Sequence, residues 1–325
     1  MKHILLLGAG FSQNWGGWVS KEVFEYLLEK KEIHDNPRLL SLLWSNQEHG
    51  FESMLATLHN NYQIHQNEQT LSDLNTVEKI LRAMFKDMNN GFNRILDWEI
   101  NLNLTHHFLT RFDAIFTLNQ DLLLEYHYLN NNIQLRSHGS KKWGGYQIPG
   151  MVSLTPNART PGETFFSPAS NSDFFIEKNL QPYIKLHGSS NWTSKDEKNL
   201  LIMGSNKATQ IAKFEILKHY YNYFESCLND NCKLMVVGYG FLDNHINQSL
   251  LKAAENNLKL FNVNPLGSDQ ALQLNKTKNP SQIGADTDVE LLFKKSLIGA
   301  SRKPLRETFS NVSSAEFNKF SRFFE

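Results

Sequence analysis

Apolar runs that end on glycine alternate along this chain with stretches of helical spacing. Residues 3–12, HILLLGAGFS, are apolar up to Leu7 and then turn on glycine, as a strand buried on both faces of a parallel sheet does. Val23, Phe24, Leu27 and Leu28 resume a helical period. From about Pro37 to Phe112 the pattern is almost entirely helical, and Val77, Ile80, Leu81, Met84, Phe85 and Met88 fall on one face. So long a helical block after a single strand predicts an insertion or a helical subdomain at about 37–112.

Strand character returns at Ala114–Leu118 and again at Tyr183–Leu186. Between them, residues 137–175 are rich in Gly, Pro and Ser and read as loops with room for one hairpin over a pocket. Leu217, Tyr220, Tyr221, Phe224 and Leu228 predict an amphipathic helix, which feeds KLMVVGYGFLDNHI at 233–246: a strand, a glycine turn and a helix start. LKLFNVNP at 258–265 is a further strand. Strands alternating with helices predict an α/β fold, a Rossmann-like and mainly parallel sheet with helices on both faces, plus the helical insertion. Residues 1–265 then form one domain. Polar residues 267–288 read as a linker, and the aromatic segment that follows, with Phe317, Phe320, Phe323 and Phe324, either folds back or docks elsewhere, for example in oligomerisation.

Composition narrows the class. At 325 residues and 40% hydrophobic, the chain can bury a sizeable core. Lys plus Arg and Asp plus Glu both number 33, a balance that argues against general binding to nucleic acid or to a membrane surface. The N-terminal apolar run is too short for a signal segment or a membrane span. Cys227 and Cys232 are the only cysteines and have no His-Cys cluster to complete a zinc site, so both read as structural and no metal is expected. So few cysteines fit a reducing cytoplasm.

The candidate chemistry sits where strands end. In GAGFS, Gly8 permits a tight turn and Gly10 lets backbone N–H groups approach a pyrophosphate. The dinucleotide fingerprint is incomplete, because Gln13 stands where it requires glycine, and a plain turn explains the motif as well. TLNQD places Asn119 and Asp121 just past a strand, where open α/β sheets bind ligands and where Asn and Asp also cap helices. KLHGS supplies His187, either a ligand-facing histidine or a satisfied core one. VVGYGFLD repeats the strand-to-glycine turn with Gly238 and Gly240, and its Asp243 either caps a helix or touches a ligand. Asn262 and Asn264 close the next strand, with amides suited to a ribose or adenine edge or to an ordinary turn before Pro265.

The order of these motifs says more than any one of them. Over residues 1–30 and 112–265 the chain resembles the sirtuin family, and more particularly the sirtuin-like NAD hydrolases of bacterial phage defence. It departs from the deacylase pattern in having no cysteines for a four-cysteine zinc ribbon. It also has QNWGGWVS where a Pro-Asp-Phe-Arg stretch belongs, and no recognisable acyl-lysine segment follows His187. These departures count against deacylation and leave NAD binding intact; residues 37–112 fit the helical insertion of the resembling hydrolases.

The resemblance implies an NAD+ glycohydrolase releasing nicotinamide and ADP-ribose. His187 would be its catalytic histidine at the nicotinamide ribose, with Gly188 leaving room for the ligand. Asn119 would orient ribose or water, and Asp121 would hold the carboxamide. Gly8, Ala9, Gly10 and Ser12 would meet the phosphates and the adjoining ribose, with Gly238, Gly240 and Asn262 on the adenosine side. NAD+ is then the substrate. Unregulated NAD loss would kill the host, so the resemblance implies control by a homo-oligomer or by a partner defence protein, whether an ATPase, an Argonaute or a phage trigger. Two other readings fit the same motifs: an NAD-dependent protein deacylase or ADP-ribosyltransferase, and a non-catalytic module that binds NAD or a related nucleotide.

Overall fold

The apolar residues after His3 form the middle of a sheet because both faces they present are covered. The computed structural model describes residues 1–48, 50–96, 102–129, 143–169, 174–194, 199–204, 206–229, 231–275, 286–311 and 314–325. Its strands are β1 (His3–Leu7), β2 (Ala114–Thr117), β3 (Gly145–Gln147), β4 (Met151–Ser153), β5 (Phe166–Pro168), β6 (Leu180–Lys185), β7 (Gly188–Thr193), β8 (Asn199–Leu201), β9 (Lys233–Val237), β10 (Lys259–Val263) and β11 (Leu297–Ser301). Seven of them form one sheet in the order β11-β10-β9-β1-β2-β6-β3. Every pairing in it is parallel. The strand order runs outward from β1 in both directions, so the sheet has its switch point there, beside β9. This is the Rossmann-like architecture expected from the sequence.

Between β1 and β2 the chain is helical, including Pro37–Ser45, Phe51–His65, Glu68–Leu96 and Leu102–Leu109. The first of these starts where the sequence dictates: the Asn36 side chain accepts from the Arg38 and Leu39 amides, and Pro37 takes the first helical position. Val77, Ile80, Leu81, Met84, Phe85 and Met88 are all buried, as their spacing requires.

The Gly/Pro-rich region supplies the hairpin its loops left room for, β4 antiparallel to β5, and β5 then joins β7 and β8 in a second sheet, β4-β5-β7-β8, that was not read from the sequence. Strands of three residues carry too little alternation to be read from the sequence. The C-terminal segment folds back onto the sheet, one of the two courses its aromatic residues allowed. Helix Asp288–Ser296 leads into β11, which pairs with β10, and Phe320 and Phe323 pack their rings on Phe261 of β10. Phe309, Phe320 and Phe323 are buried against the chain itself. The anticipated linker falls partly outside the described residues. Among the described residues no helix is long and apolar enough to cross a membrane.

Under the sheet lies a buried aromatic group. His127 is fully buried, meets the edge of Trp15 at 4.9 Å and of His106 at 5.5 Å, and neither of its ring nitrogens has a hydrogen-bond partner among the described residues. Burial pushes His127 well below its usual value, and burial plus neighbouring His107 push His106 down to about 4. Both rings are therefore neutral in the folded chain, whereas the unfolded chain takes up protons below about pH 6.5. Stability is fully present above that pH and falls as pH drops from about 6.5 towards 4. Between pH 7.5 and 5.0 each ring should account for about 2 kcal/mol of lost stability. Thermal melts across this range should show His127→Phe losing less on acidification than the wild type; equal losses would show that this histidine does not drive the effect.

Candidate active site

Five strands deliver their ends to one edge of the sheet, and the two glycine turns meet there first. The Gly8 amide donates to the Val237 carbonyl and the Gly10 amide to the Gly238 carbonyl, each at 2.9 Å. A Cβ on Gly8 would stand 2.6 Å from the Gly238 oxygen. One on Gly238, whose φ is +65°, would stand 2.3 Å from the Gly10 carbonyl carbon. The glycines of both motifs thus let the β1 and β9 turns touch. The amides of Gly8 and Gly10 are thereby engaged by β9 and its turn. Ala9 and Gly240 are exposed at the rim.

Asn119 and His187 come from neighbouring strands in the same register. Thr117 of β2 lies opposite Lys185 of β6, and each functional residue follows two positions later. The side-chain amide of Asn119 donates to the Gly8 carbonyl and to Ser12 Oγ, both at 3.0 Å. Ser12 in turn donates to Asp121 Oδ2 at 2.7 Å. Asp121 also accepts from the Leu123 amide at 3.0 Å, at the start of the helix Leu123–Leu129. Burial raises the Asp121 carboxyl, against the pull of the Lys185 charge and these hydrogen bonds. Both Asp121 oxygens are therefore engaged inside the chain. Through Ser12, Asp121 fixes the amide of Asn119.

His187 is 2% exposed. Its Nε2 stands 3.2 Å from Nε2 of His245, and its ring also hydrogen-bonds the main chain of Leu118. With Nε2 facing His245, Nδ1 is the nitrogen left to donate to the Leu118 carbonyl, which makes Nε2 the acceptor toward His245. Burial pushes His187 down to about 3, helped by the Lys207 ammonium, so the imidazole is neutral. Gly188 has φ +74°, and a Cβ there would lie 2.0 Å from the Leu200 carbonyl oxygen. The β7–β8 pairing requires the glycine, and the Ile202 amide donates to the His187 carbonyl at 2.9 Å.

Three further groups join His187 that the sequence motifs had not brought together. Asp243 sits at the N-cap of helix Asn244–Ala254, yet its carboxylate makes no cap bond. It pairs with Lys207 Nζ at 2.7 Å, and Lys207 reaches Glu52 of the helical insertion at 2.8 Å. Burial alone would raise Asp243, but the Lys207 ammonium, through its charge and its hydrogen bond, holds the carboxyl low. Burial likewise lowers His245. The one legible hint was the Asp-x-His spacing after the second glycine turn.

Asn262 differs from expectation. It is wholly buried, and its amide hydrogens go to the Gly267 carbonyl and to Gln270 Oε1, each at 2.9 Å. Gln270 then donates to the Tyr239 carbonyl, which ties the turn after β10 to the turn after β9. Asn262 therefore braces the turns that follow β9 and β10.

The SIR2-like domain model matches residues 113–275. No curated protein sequence matches the chain. Similar solved structures include Sir2 in complex with the inhibitor EX-527, 2'-O-acetyl-ADP-ribose and a deacetylated p53 peptide, at 11% identity over 96% of this chain and 92% of that one, TM-score 0.37. Another is Sir2Tm bound to a propionylated peptide, at 10% identity over 96% and 91%, TM-score 0.34. A third is Sir2 with a p53 peptide and NAD+, at 12% identity over 96% and 91%, TM-score 0.31.

Proposed function

Because this chain belongs to the SIR2-like family, we propose that it is an NAD+ glycohydrolase that cleaves the bond between nicotinamide and ribose. One observation carries the reading: Asn119 and His187 follow adjacent parallel strands at the same offset on the switch-point edge, where the His187 imidazole is neutral. In the reaction, the C1′–N bond breaks and its electron pair leaves with neutral nicotinamide. Water adds to the oxocarbenium-like carbon while its proton passes to His187 Nε2. Asn119, held by Gly8 and Ser12, orients the ribose or the water. Ala9 and Gly240 stand at the rim where phosphates and adenosine would lie. Residues 1–265 supply the catalytic edge, and 266–325 brace it through β11.

The biological setting we propose is anti-phage defence in the cytoplasm. NAD+ would be depleted only after activation by self-assembly or by a partner defence protein. The ion pair from Glu52 to Lys207 gives the helical insertion a physical route to His187. A deacylase is the weaker reading, since the chain lacks the cysteines of a zinc ribbon.

The test is product analysis by mass spectrometry after incubating NAD+ with the protein, with and without an acetyl-lysine peptide, and in phage-challenged cells. Equimolar nicotinamide and ADP-ribose, independent of peptide, is the expected result. Nicotinamide release that requires the peptide would make the protein a deacylase. NAD+ untouched in every setting would leave a binding module.

A further inference from the structure

His187, Asp243 and His245 offer three ligand atoms that all lie within 4.8 Å of one another. We propose that they form a binding site for a zinc-class divalent cation, and that occupancy switches the edge off by taking the Nε2 lone pair of His187.

The geometry is that of a metal chelate. Zinc–nitrogen bonds of about 2.0–2.1 Å at a tetrahedral angle place two imidazole nitrogens about 3.3–3.4 Å apart. The two Nε2 atoms stand 3.2 Å apart without an ion between them. His187 also carries the outer support that metal-bound histidines carry: its other ring nitrogen is held by the Leu118 main chain, which fixes the tautomer with Nε2 free to bind. Asp243 has its own support, because Lys207 holds Oδ1 at 2.7 Å and leaves Oδ2 for the ion.

Charge does not forbid the ion. The Lys207 ammonium is paired with Glu52 at 2.8 Å as well as with Asp243, so two carboxylates face one ammonium and the pocket is net negative. Two imidazoles and one carboxylate suit zinc or neighbouring first-row metals and not magnesium or calcium, which require mostly oxygen ligands. Three protein ligands leave a fourth position for water. The spacing of the cysteines gave no hint of such a site, because its ligands are histidines and a carboxylate from two separate strand ends. Metal binding stands on the geometry alone; the inhibitory consequence rests on the proposed NAD+ cleavage.

The experiment titrates zinc into the full-length chain, free of any affinity tag, against a chromophoric chelator, with magnesium as the comparison cation. One zinc per chain is expected, with affinity reduced at least about 100-fold by His245→Ala and by Asp243→Asn, and unchanged by His65→Ala on an exposed helix end. Zinc should raise the melting temperature of the wild type and not that of His245→Ala. Circular dichroism checks the fold of each variant, and cobalt substitution in the wild type reads a tetrahedral nitrogen–oxygen donor set without any mutation. No stoichiometric uptake, or uptake that survives His245→Ala, overturns the site and leaves a plain hydrogen bond between two imidazoles. In parallel, zinc should suppress nicotinamide release and a chelator should restore it. Zinc binding by a chain that never cleaves NAD+ would sink the proposed function and keep the site. Cleavage without zinc binding would do the reverse.

Discussion

His187→Ala is expected to slow nicotinamide release from NAD+ by about 10²–10⁴-fold, the usual contribution of a positioned general base. That loss is about 2.7–5.5 kcal/mol of transition-state stabilisation. NAD+ affinity should change only a few-fold, because the role assigned to Nε2 is to accept a proton from water and not to hold the ground state. The loss should therefore fall in kcat. Steady-state kinetics together with calorimetric NAD+ binding separates the two. A variant with normal kcat and weakened binding would show that His187 only holds the ligand.

Lys185→Met should cost about 3–5 kcal/mol of folding stability, because it strands a buried carboxylate. The ammonium is 1% exposed and pairs with Glu125 at 2.7 Å, while also donating to Ser189 Oγ at 2.8 Å and to the Asp121 carbonyl. Burial raises the Glu125 carboxyl, opposed by Lys185 and by the Tyr183 hydroxyl at 3.0 Å. Removing the lysine leaves Glu125 without its counter-charge on the strand that presents His187. The double variant Lys185→Met/Glu125→Leu should recover much of the loss, since neither charge then remains buried. Urea denaturation measures both. A single variant within about 1 kcal/mol of the wild type would contradict this account of the core.

The parallel sheet was legible because its central strands are buried on both faces, so Ile4–Leu7, Ala114–Phe116 and Leu234–Val237 read as unbroken apolar runs. β11 was not, since an edge strand with Ile298 half exposed breaks that pattern. Asn119 and His187 were legible for a simple reason: each follows a buried strand by two residues. The glycines were located, but the backbones they pack against were not: Gly8 and Gly10 meet the turn after β9 and Gly188 meets Leu200, contacts that only the tertiary fold makes. The group behind His187 could not be read, because Glu52 and Lys207 lie 155 positions apart and meet only through tertiary packing.

The most direct test of the central claim is a time course of nicotinamide formation from NAD+ over a series of protein concentrations. It should compare the wild type with the folded double variant Asn119→Ala/His187→Ala. The account predicts nicotinamide and ADP-ribose in equal amounts from the wild type, rising with self-assembly or on phage challenge, and none from the double variant. Equal release by the two proteins, or none from the wild type under any condition, would contradict it.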